Sequence, residues 1–233
     1  MQPPDGSPTL LLVPTELELR RLSDLGGFEP GLAVVELCGF GPVAAAARTA
    51  HLLATLRPAR VLLLGIAGSY EPRTHPLAEA FEFGAVAIDG IGVGEGATFV
   101  APPVLGFPQW PGSSATCERA IFDRLPLAAP AERADGLLLT TCAASADHEQ
   151  AAQRRARFPH ATAEDMEGFA VAAACALAGV PARIVRGLSN EVGDRRPEHW
   201  RLPAALAAAR RLACAILEDG APWPSFSPRE ERP

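Results

Sequence analysis

The sequence predicts a single α/β domain, an α/β/α sandwich in which helices cover both faces of a mostly parallel central sheet. Apolar runs such as Thr9–Val13 (TLLLV) and Val61–Leu64 (VLLL) are continuous rather than alternating, as expected of strands buried on both faces. These runs alternate with helical patterns along the chain, which is typical of parallel sheets. The 233 residues, 48% of them hydrophobic, suffice for one large core, and neither a linker nor an internal repeat divides them.

The first half of the chain predicts a regular alternation of strands and helices. The first strand ends at Pro14, and a helix starts at Thr15. The turn CGFGP (residues 38–42) places Pro42 at the first position of the next helix, where a proline is well tolerated. In order, the predicted elements are the strand Thr9–Val13, a helix from Thr15, the strand Ala33–Leu37, the helix Val43–Leu56 and the strand Val61–Leu64.

The second half predicts further strands and helices joined by longer irregular segments. Gly65–Ser69 (GIAGS) is predicted as a turn whose two glycines let a ligand approach the backbone. Residues 101–112, with four prolines, predict a long ordered loop that forms a lid or a subunit contact. The elements are the strands Phe83–Ile88, Gly136–Thr140 and Ala182–Leu188, and the helices Ala146–Phe158, Asp165–Val180 and Pro203–Leu217. Residues 1–8 and 220–233 are predicted to be loose ends.

Composition argues against several classes of protein. The net charge of −6 opposes binding to a nucleic-acid backbone, and the absence of lysine removes Schiff-base and P-loop lysine chemistry. Five scattered cysteines without a C-x-x-C pair suit reduced thiols, and five histidines without an H-E-x-x-H motif indicate no metal site. No signal-peptide pattern is present, and no apolar run approaches the ~20 residues that span a bilayer. We therefore expect a cytoplasmic protein without membrane contact.

Glu18 is the first candidate for chemistry. The spacing Thr15-x-x-Glu18 is also that of a capping box, in which the glutamate bonds back to the residue that caps the helix. The functional alternative is a general base that holds a water near the end of the first strand. Glu16, an acid at the exposed start of the same helix, is the weaker candidate for that role.

Glu167 and Asn190 are the other candidates. An acid at a helix start is favoured by the helix dipole alone, but a carboxylate also suits the paired 2′ and 3′ hydroxyls of a ribose, with Met166 as an apolar floor. Asn190 follows a strand, where it could cap a turn. Its carboxamide could equally accept from a protonated N7 and donate to O6 of a 6-oxopurine, whereas an aspartate would suit a 6-aminopurine.

Five segments carry a family resemblance. Residues 163–172 (AEDMEGFAVA) and 186–195 (RGLSNEVGDR) together resemble the VEMEA…R-x-(I/L)-S-(D/N) region of the purine nucleosidases and phosphorylases of the nucleoside phosphorylase superfamily. Residues 14–19 (PTELEL), 38–46 (CGFGPVAAA) and 65–70 (GIAGSY) resemble three further motifs of its nucleosidases. The resemblance implies a nucleoside phosphorylase-like domain whose mostly parallel mixed sheet is partly barrel-like.

The resemblance also implies roles for individual residues. Glu18 matches the water-activating glutamate, Glu167 the group that holds the ribose hydroxyls, and Asn190 the residue that meets the leaving base. The residues expected to bind substrate are Met166, Ser189, Gly68, Ala67 and Trp200. Hydrolysis of an N-glycosidic bond needs no metal or organic cofactor. Since members of this family form at least dimers, we expect a homodimer or higher homo-oligomer in which residues 101–112 close the partner's site.

Two departures narrow the expected substrate. Asn190 stands where the methylthioadenosine/S-adenosylhomocysteine nucleosidases carry aspartate, and residues 143–145 (AAS) lack the phenylalanine on which those enzymes stack the base. The chain is instead most similar to the futalosine hydrolase branch, which releases hypoxanthine from futalosine in menaquinone biosynthesis. Another purine nucleosidase, a purine nucleoside phosphorylase and a non-catalytic nucleoside-binding protein remain alternatives. Arg48 and Arg186 are the only arginines near the glycine turns, which favours hydrolysis over phosphorolysis.

The sequence does not determine which residue would bind the aryl carboxylate of the expected substrate. Futalosine carries an aryl carboxylate beyond its ribose, which an arginine or a histidine should meet. Arg73, His75 and Arg195 are candidates for that contact, and Trp110 and Trp200 could pack the aryl ring. The sequence does not choose among them.

Overall fold

A computed structural model describes residues 7–221, 223 and 224, and shows an eight-stranded mixed sheet with helices on both faces. The strands are β1 (Thr9–Val13), β2 (Val34–Leu37), β3 (Arg60–Ser69), β4 (Ala80–Asp89), β5 (Arg124–Pro126), β6 (Ala134–Thr141), β7 (Ala161–Asp165) and β8 (Ala182–Glu191). The helices are α1 (Glu16–Asp24), α2 (Gly41–Leu56), α3 (Pro102–Leu105), α4 (His148–Arg157), α5 (Gly168–Ala178) and α6 (Leu202–Glu218). Short 3₁₀ turns cover Gly96–Thr98 and Pro197–His199.

The sheet closes partly on itself. Its strand order is β2-β1-β3-β7-β6-β4-β5, and β8 pairs with both β3 and β4. The strands β3, β8, β4, β6 and β7 therefore form a closed five-stranded ring, from which β1, β2 and β5 extend. The pairs β1–β2, β1–β3, β3–β8, β4–β6 and β6–β7 are parallel, whereas β3–β7, β4–β5 and β4–β8 are antiparallel. The predicted fold class, including the partly barrel-like mixed sheet, is confirmed.

Two apolar cores on opposite faces of the sheet establish the layered arrangement. Along β1, Leu10 and Leu12 contribute to one core with α2 and α5, while Leu11 and Val13 contribute to the other with α1 and α6. All four side chains are fully buried, which explains why β1 is a continuous apolar run. Many buried positions of the covering helices are alanine, so these helices lie close to the strands.

Several predicted boundaries are wrong, each for a local reason. Gly65–Ser69 is not a turn, because β3 continues through it, paired with β8 up to Ser69. The helix after β7 begins at Gly168 rather than at Asp165, which ends the strand. Pro42 occupies the second position of α2, since Gly41 is the first.

Other differences concern segments with weak sequence signals. The strands β5 and β7 were not predicted: β5 has three residues, and β7 (ATAED) carries two acids in place of an apolar run. The predicted loop 101–112 contains one helical turn, α3. Residues 1–6, 222 and 225–233 of the predicted loose ends lie outside the described residues. Within the described chain, no helix has the length and apolarity to cross a bilayer.

Candidate active site

Residues from four elements meet near the carboxyl end of β3. Glu18 comes from the first turn of α1, Arg186 and Asn190 from β8, and the segment Asp165–Glu167 from the junction of β7 and α5. Most of the predicted site residues lie on these elements or on β3 itself. In a largely parallel sheet, such strand ends form the crevice in which ligands bind.

Glu18 forms the predicted capping box and also reaches the central sheet. Its Oε2 accepts hydrogen bonds from the Thr15 amide at 3.1 Å and the Thr15 hydroxyl at 2.5 Å, which completes the capping box. Its Oε1 reaches β3 and accepts from the amide of Ile66 at 3.0 Å. The side chain is buried, with 4% relative exposure. The cap therefore fixes a buried carboxylate against the central strand.

Glu167 is a buried acid that does not cap its helix. It precedes α5, but its Oε1 accepts from the amide of Gly41 at 3.0 Å and its Oε2 from Nη2 of Arg186 at 3.2 Å. Burial raises the pKa of Glu167 to about 7, against the opposing charge of Arg186 and with the help of the Asp165 carboxylate. The helix dipole alone does not account for this residue, because its contacts run to α2 and β8.

Arg186 links the acids, a role that the sequence analysis missed. The side chain is fully buried and donates through Nε to Asp165 Oδ2 at 3.1 Å, and through Nη2 to both Asp165 and Glu167. Its Nη1 has no hydrogen-bond partner in the structure. A Cβ atom on Gly65 would lie 2.3 Å from this Nη1 and 2.7 Å from Glu18 Oε1, so the glycine lets the two groups approach each other. The sequence signal was weak, since Arg186 is one of two arginines, with Arg183, in an otherwise largely apolar strand.

Asn190 is held by its neighbours in β8 and the loop after it. The Ser189 hydroxyl donates to Asn190 Oδ1 at 2.8 Å and lies 3.3 Å from the carbonyl oxygen of Ala67. Asn190 Nδ2 donates to the carbonyl oxygen of Glu191 at 2.9 Å and lies 3.5 Å from that of Asp194. Oδ1 thus keeps one free lone pair, but donation from Nδ2 to a purine O6 would require one of these two main-chain contacts to break.

A cavity lies beside Asn190, and neither Glu18 nor Glu167 is among the residues that line it. Its lining includes Gly68, Glu164, Asp165, Met166, Asn190 and Arg195. Asp165 lines this cavity and also binds Arg186, so the cavity adjoins the cluster formed by Glu18, Glu167 and Arg186. In β3, Gly65 pairs with Arg186 and Gly68 with Asn190. These two glycines are three residues apart, roughly 10 Å along the strand.

The other side chains predicted to contact the substrate differ in whether they are free to bind a ligand. His75 is buried and engaged, with Nε2 2.9 Å from Asp135 Oδ1 and Nδ1 2.9 Å from the Thr74 hydroxyl. Arg73 is exposed, whereas Arg195 lines the cavity and lies over the ring of Trp200, 5.1 Å from its centroid. Trp200 is partly buried. Its indole nitrogen donates to the carbonyl oxygen of Asp194 at 3.2 Å, which ties it to the loop after β8.

The described residues contain no group of three or more histidine, cysteine, aspartate or glutamate side chains placed to hold a metal ion. Trp110, the other predicted aromatic contact, is partly buried, and its indole nitrogen donates to the carbonyl oxygen of Cys117 at 3.1 Å. It packs against the core that contains α2 and α5. Of the predicted aromatic contacts, Trp200 therefore lies nearer the cavity, in the loop that also carries Arg195.

Comparisons with known proteins identify relatives over most of the chain. Residues 28–219 match the model of the Phosphorylase superfamily. The chain is 36% identical to a futalosine hydrolase of Thermus thermophilus, over 78% of this chain and 80% of that protein. It is 35% identical to a futalosine hydrolase of Streptomyces coelicolor, over 73% and 72%. The fold is similar to that of a 5′-methylthioadenosine/S-adenosylhomocysteine nucleosidase from Neisseria meningitidis, with 20% identity, a TM-score of 0.70 and coverage of 91% and 99%.

The raised pKa of Glu167 predicts how stability depends on pH. Folding raises this pKa from an ordinary value of 4.5 to about 7, so the fold favours the protonated form. The resulting stabilisation is complete below about pH 4.5 and is lost as the pH rises through 7. Relative to Glu167→Gln, which does not titrate, the wild type should lose about 3 kcal/mol of unfolding free energy across this window.

Urea unfolding of both proteins from pH 4.5 to 8.5 measures this difference. Glu16→Gln removes one negative charge from an exposed position and serves as the control for a change in net charge alone. Parallel stability curves for the wild type and Glu167→Gln would contradict the assigned shift.

Proposed function

Since the chain belongs to the Phosphorylase superfamily and, within it, to the futalosine hydrolases, we propose that it hydrolyses the N-glycosidic bond of futalosine and releases hypoxanthine and dehypoxanthine futalosine. The observation that carries the mechanism is the meeting of two buried carboxylates, Glu18 and Glu167, at one buried arginine. The enzyme is an N-glycosyl hydrolase of nucleosides. The pathway that it serves in this proposal is menaquinone biosynthesis, in the cytoplasm.

Glu18 activates the water in this mechanism. Its Oε1 is fixed by the amide of Ile66, and the unpaired Nη1 of Arg186 lies against the same side of Gly65. A water between these two groups would accept a hydrogen bond from Arg186 and give its proton to Glu18. The resulting hydroxide attacks C1′ of the ribose, with the positioned base supplying a rate factor of roughly 10²–10⁴.

Glu167 binds the sugar in this mechanism. Departure of the base leaves positive charge on C1′ and the ring oxygen, and a buried carboxylate stabilises that charge more strongly than an exposed one. The ionised form is needed to accept from the 2′ and 3′ hydroxyls. Because its pKa is about 7, binding of the ribose should weaken as the pH falls below that value.

Asn190 meets the leaving base. The free lone pair of its Oδ1 can accept from a protonated N7, while Ser189 keeps the amide in place. An amide has no acidic proton to give, so the proton that reaches the base comes through water. Met166, Gly68 and Ala67 line the path between base and sugar, and Trp200 lies toward the 5′ side.

The arginines near the site are paired with carboxylates, which supports hydrolysis rather than phosphorolysis. Arg186 already binds Asp165 and Glu167, and Arg48 binds Glu36 at 2.9 Å. The positive charge of each arginine is therefore already compensated by carboxylates, which disfavours binding of a phosphate dianion near the glycine-rich turn before α2. This argument separates the proposal from a purine nucleoside phosphorylase.

We also propose that the protein is a homodimer or a higher homo-oligomer. Large apolar side chains are exposed at the start of α2, where the Gly41 amide binds Glu167, and in the 101–112 segment. They are Phe40 at 65%, Val43 at 84%, Val104 at 80% and Phe107 at 75% relative exposure. A second copy of the chain would cover this surface and could close the 5′ side of the site.

A substrate panel tests the proposed activity. Futalosine, inosine and methylthioadenosine are incubated with the protein, with and without phosphate, and the free base is measured. We expect hypoxanthine from futalosine at the same rate without phosphate. A requirement for phosphate would instead identify a phosphorylase, and the absence of base from every substrate would indicate a non-catalytic binding protein.

Glu18→Gln should lower kcat by roughly 10²–10⁴ with little change in KM. Glutamine can still complete the capping box, so the substitution removes the base while keeping the helix start. The matched control is Glu16→Gln, two residues earlier, whose side chain is 71% exposed and bound to Arg20. Steady-state kinetics give kcat and KM for both variants. Equal effects of the two substitutions would remove Glu18 from the mechanism.

Light scattering after size exclusion tests the oligomer. The wild type should elute with at least twice the chain mass of 24.4 kDa, and Phe107→Ser should shift it toward the monomer. Leu17→Ser, which changes an exposed leucine on α1, controls for a general effect of removing surface hydrophobicity. A monomeric wild type would refute this part of the proposal.

A further inference from the structure

Glu164 lies opposite Asn190 across the cavity. It is paired with Gly68 on the neighbouring strand β3, and Gly68 is paired in turn with Asn190 on β8. The α-carbons of Glu164 and Asn190 are therefore two strand spacings apart, roughly 10 Å. Both polar side chains line the same cavity, together with Val192, whose Cγ2 lies so close to Gly68 that a Cβ atom there would be 2.9 Å from it.

The carboxylate of Glu164 is fixed but not fully used. Its Oε2 accepts from the Tyr70 hydroxyl at 2.6 Å, the Ser145 hydroxyl at 2.7 Å and Nη1 of Arg154 at 3.2 Å. Among the residues that the structure describes, its Oε1 accepts only from the amide of Ser145, at 2.7 Å. Arg154 compensates the charge, while Oε1 keeps the capacity for a second hydrogen bond. The residue is more than nine-tenths buried, so a ligand in the cavity is the natural donor.

The two purine classes differ at the atom that such an acceptor would meet. A 6-oxopurine carries a hydrogen on N1, whereas in adenine N1 is an unprotonated acceptor. We propose that Glu164 is a specificity-determining residue whose Oε1 accepts a hydrogen bond from N1–H of the bound 6-oxopurine, while Asn190 contacts the N7 side. This inference rests on the proposed function. A carboxylate facing N1 of adenine would be repulsive, so Glu164 selects against 6-amino nucleosides.

Binding of free bases tests this contact without depending on catalysis. Dissociation constants are measured by calorimetry for hypoxanthine and 1-methylhypoxanthine, with the wild type and with Glu164→Gln. The wild type should prefer hypoxanthine by roughly tenfold or more, as expected for a hydrogen bond to a charged group. In Glu164→Gln, whose side chain has nearly the same size, the preference should fall to within about threefold.

Comparing the two bases with the two proteins separates the hydrogen bond to N1–H from steric and structural effects. If the methyl group is excluded only by its bulk, the preference persists in Glu164→Gln, and the proposal is overturned. If Glu164 serves only to hold the segment 143–145, both bases weaken equally, which also overturns it. Ser145→Ala removes one bond to Glu164 but leaves the carboxylate, and should retain the preference.

A second variant and a separate activity assay complete the test of Glu164. Glu164→Asp keeps a charge opposite Arg154 and withdraws it from the cavity by one methylene, so this variant should also lose the preference for hypoxanthine. It provides the test if Glu164→Gln does not fold. The hydrolysis of futalosine by the wild type is measured separately. Cleavage without a preference for hypoxanthine would refute only the role of Glu164, whereas the preference without cleavage would refute only the proposed substrate.

Discussion

The structure of the site depends on one buried cation. Arg186 is completely buried on β8 and binds Asp165 and Glu167, with Glu18 close by. Burial lowers the pKa of Arg186, but the surrounding carboxylates outweigh it and raise the pKa above its ordinary value. Three acids could not remain together in this interior without that charge, since removing one partner of a buried pair costs about 3–5 kcal/mol. The arginine thus makes an acidic site compatible with a folded core.

The same interaction explains why two carboxylates in one cluster differ. Glu18 and Glu167 are about equally buried, but their donors are different. Glu18 accepts from two main-chain amides and a hydroxyl, all within hydrogen-bond range, whereas Glu167 accepts from one amide and shares Arg186 with Asp165. Burial raises the pKa of Glu167, Arg186 lowers it, and the neighbouring Asp165 carboxylate raises it further. The two buried acids thus differ in the donors that they bind.

The sequence predicted those features that follow from local patterns. The strand β1, the capping box at Thr15 and the position of Ser189 and Asn190 near a strand end are all local, and the structure agrees with them. Strand β7 was missed because two of its five residues are acids whose burial depends on donors from other elements, such as Thr140 for Asp165. The pairing of Arg186 with Asp165 and Glu167 could not be predicted either, because it depends on β7 and β8 lying on either side of β3.

A single extra residue in β8 then decides where Asn190 points. Ala67 pairs with Leu188 and Gly68 with Asn190, so Ser189 has no partner on β3 and forms a bulge. Successive side chains of a strand alternate between faces, and an inserted residue reverses the alternation beyond it. Without the bulge, the position after Leu188 would pair with Gly68, and Asn190 would lie opposite Ser69 on the other face. The bulged Ser189 hydroxyl binds the amide that its own insertion redirects, so one irregularity both aims Asn190 into the cavity and holds it there.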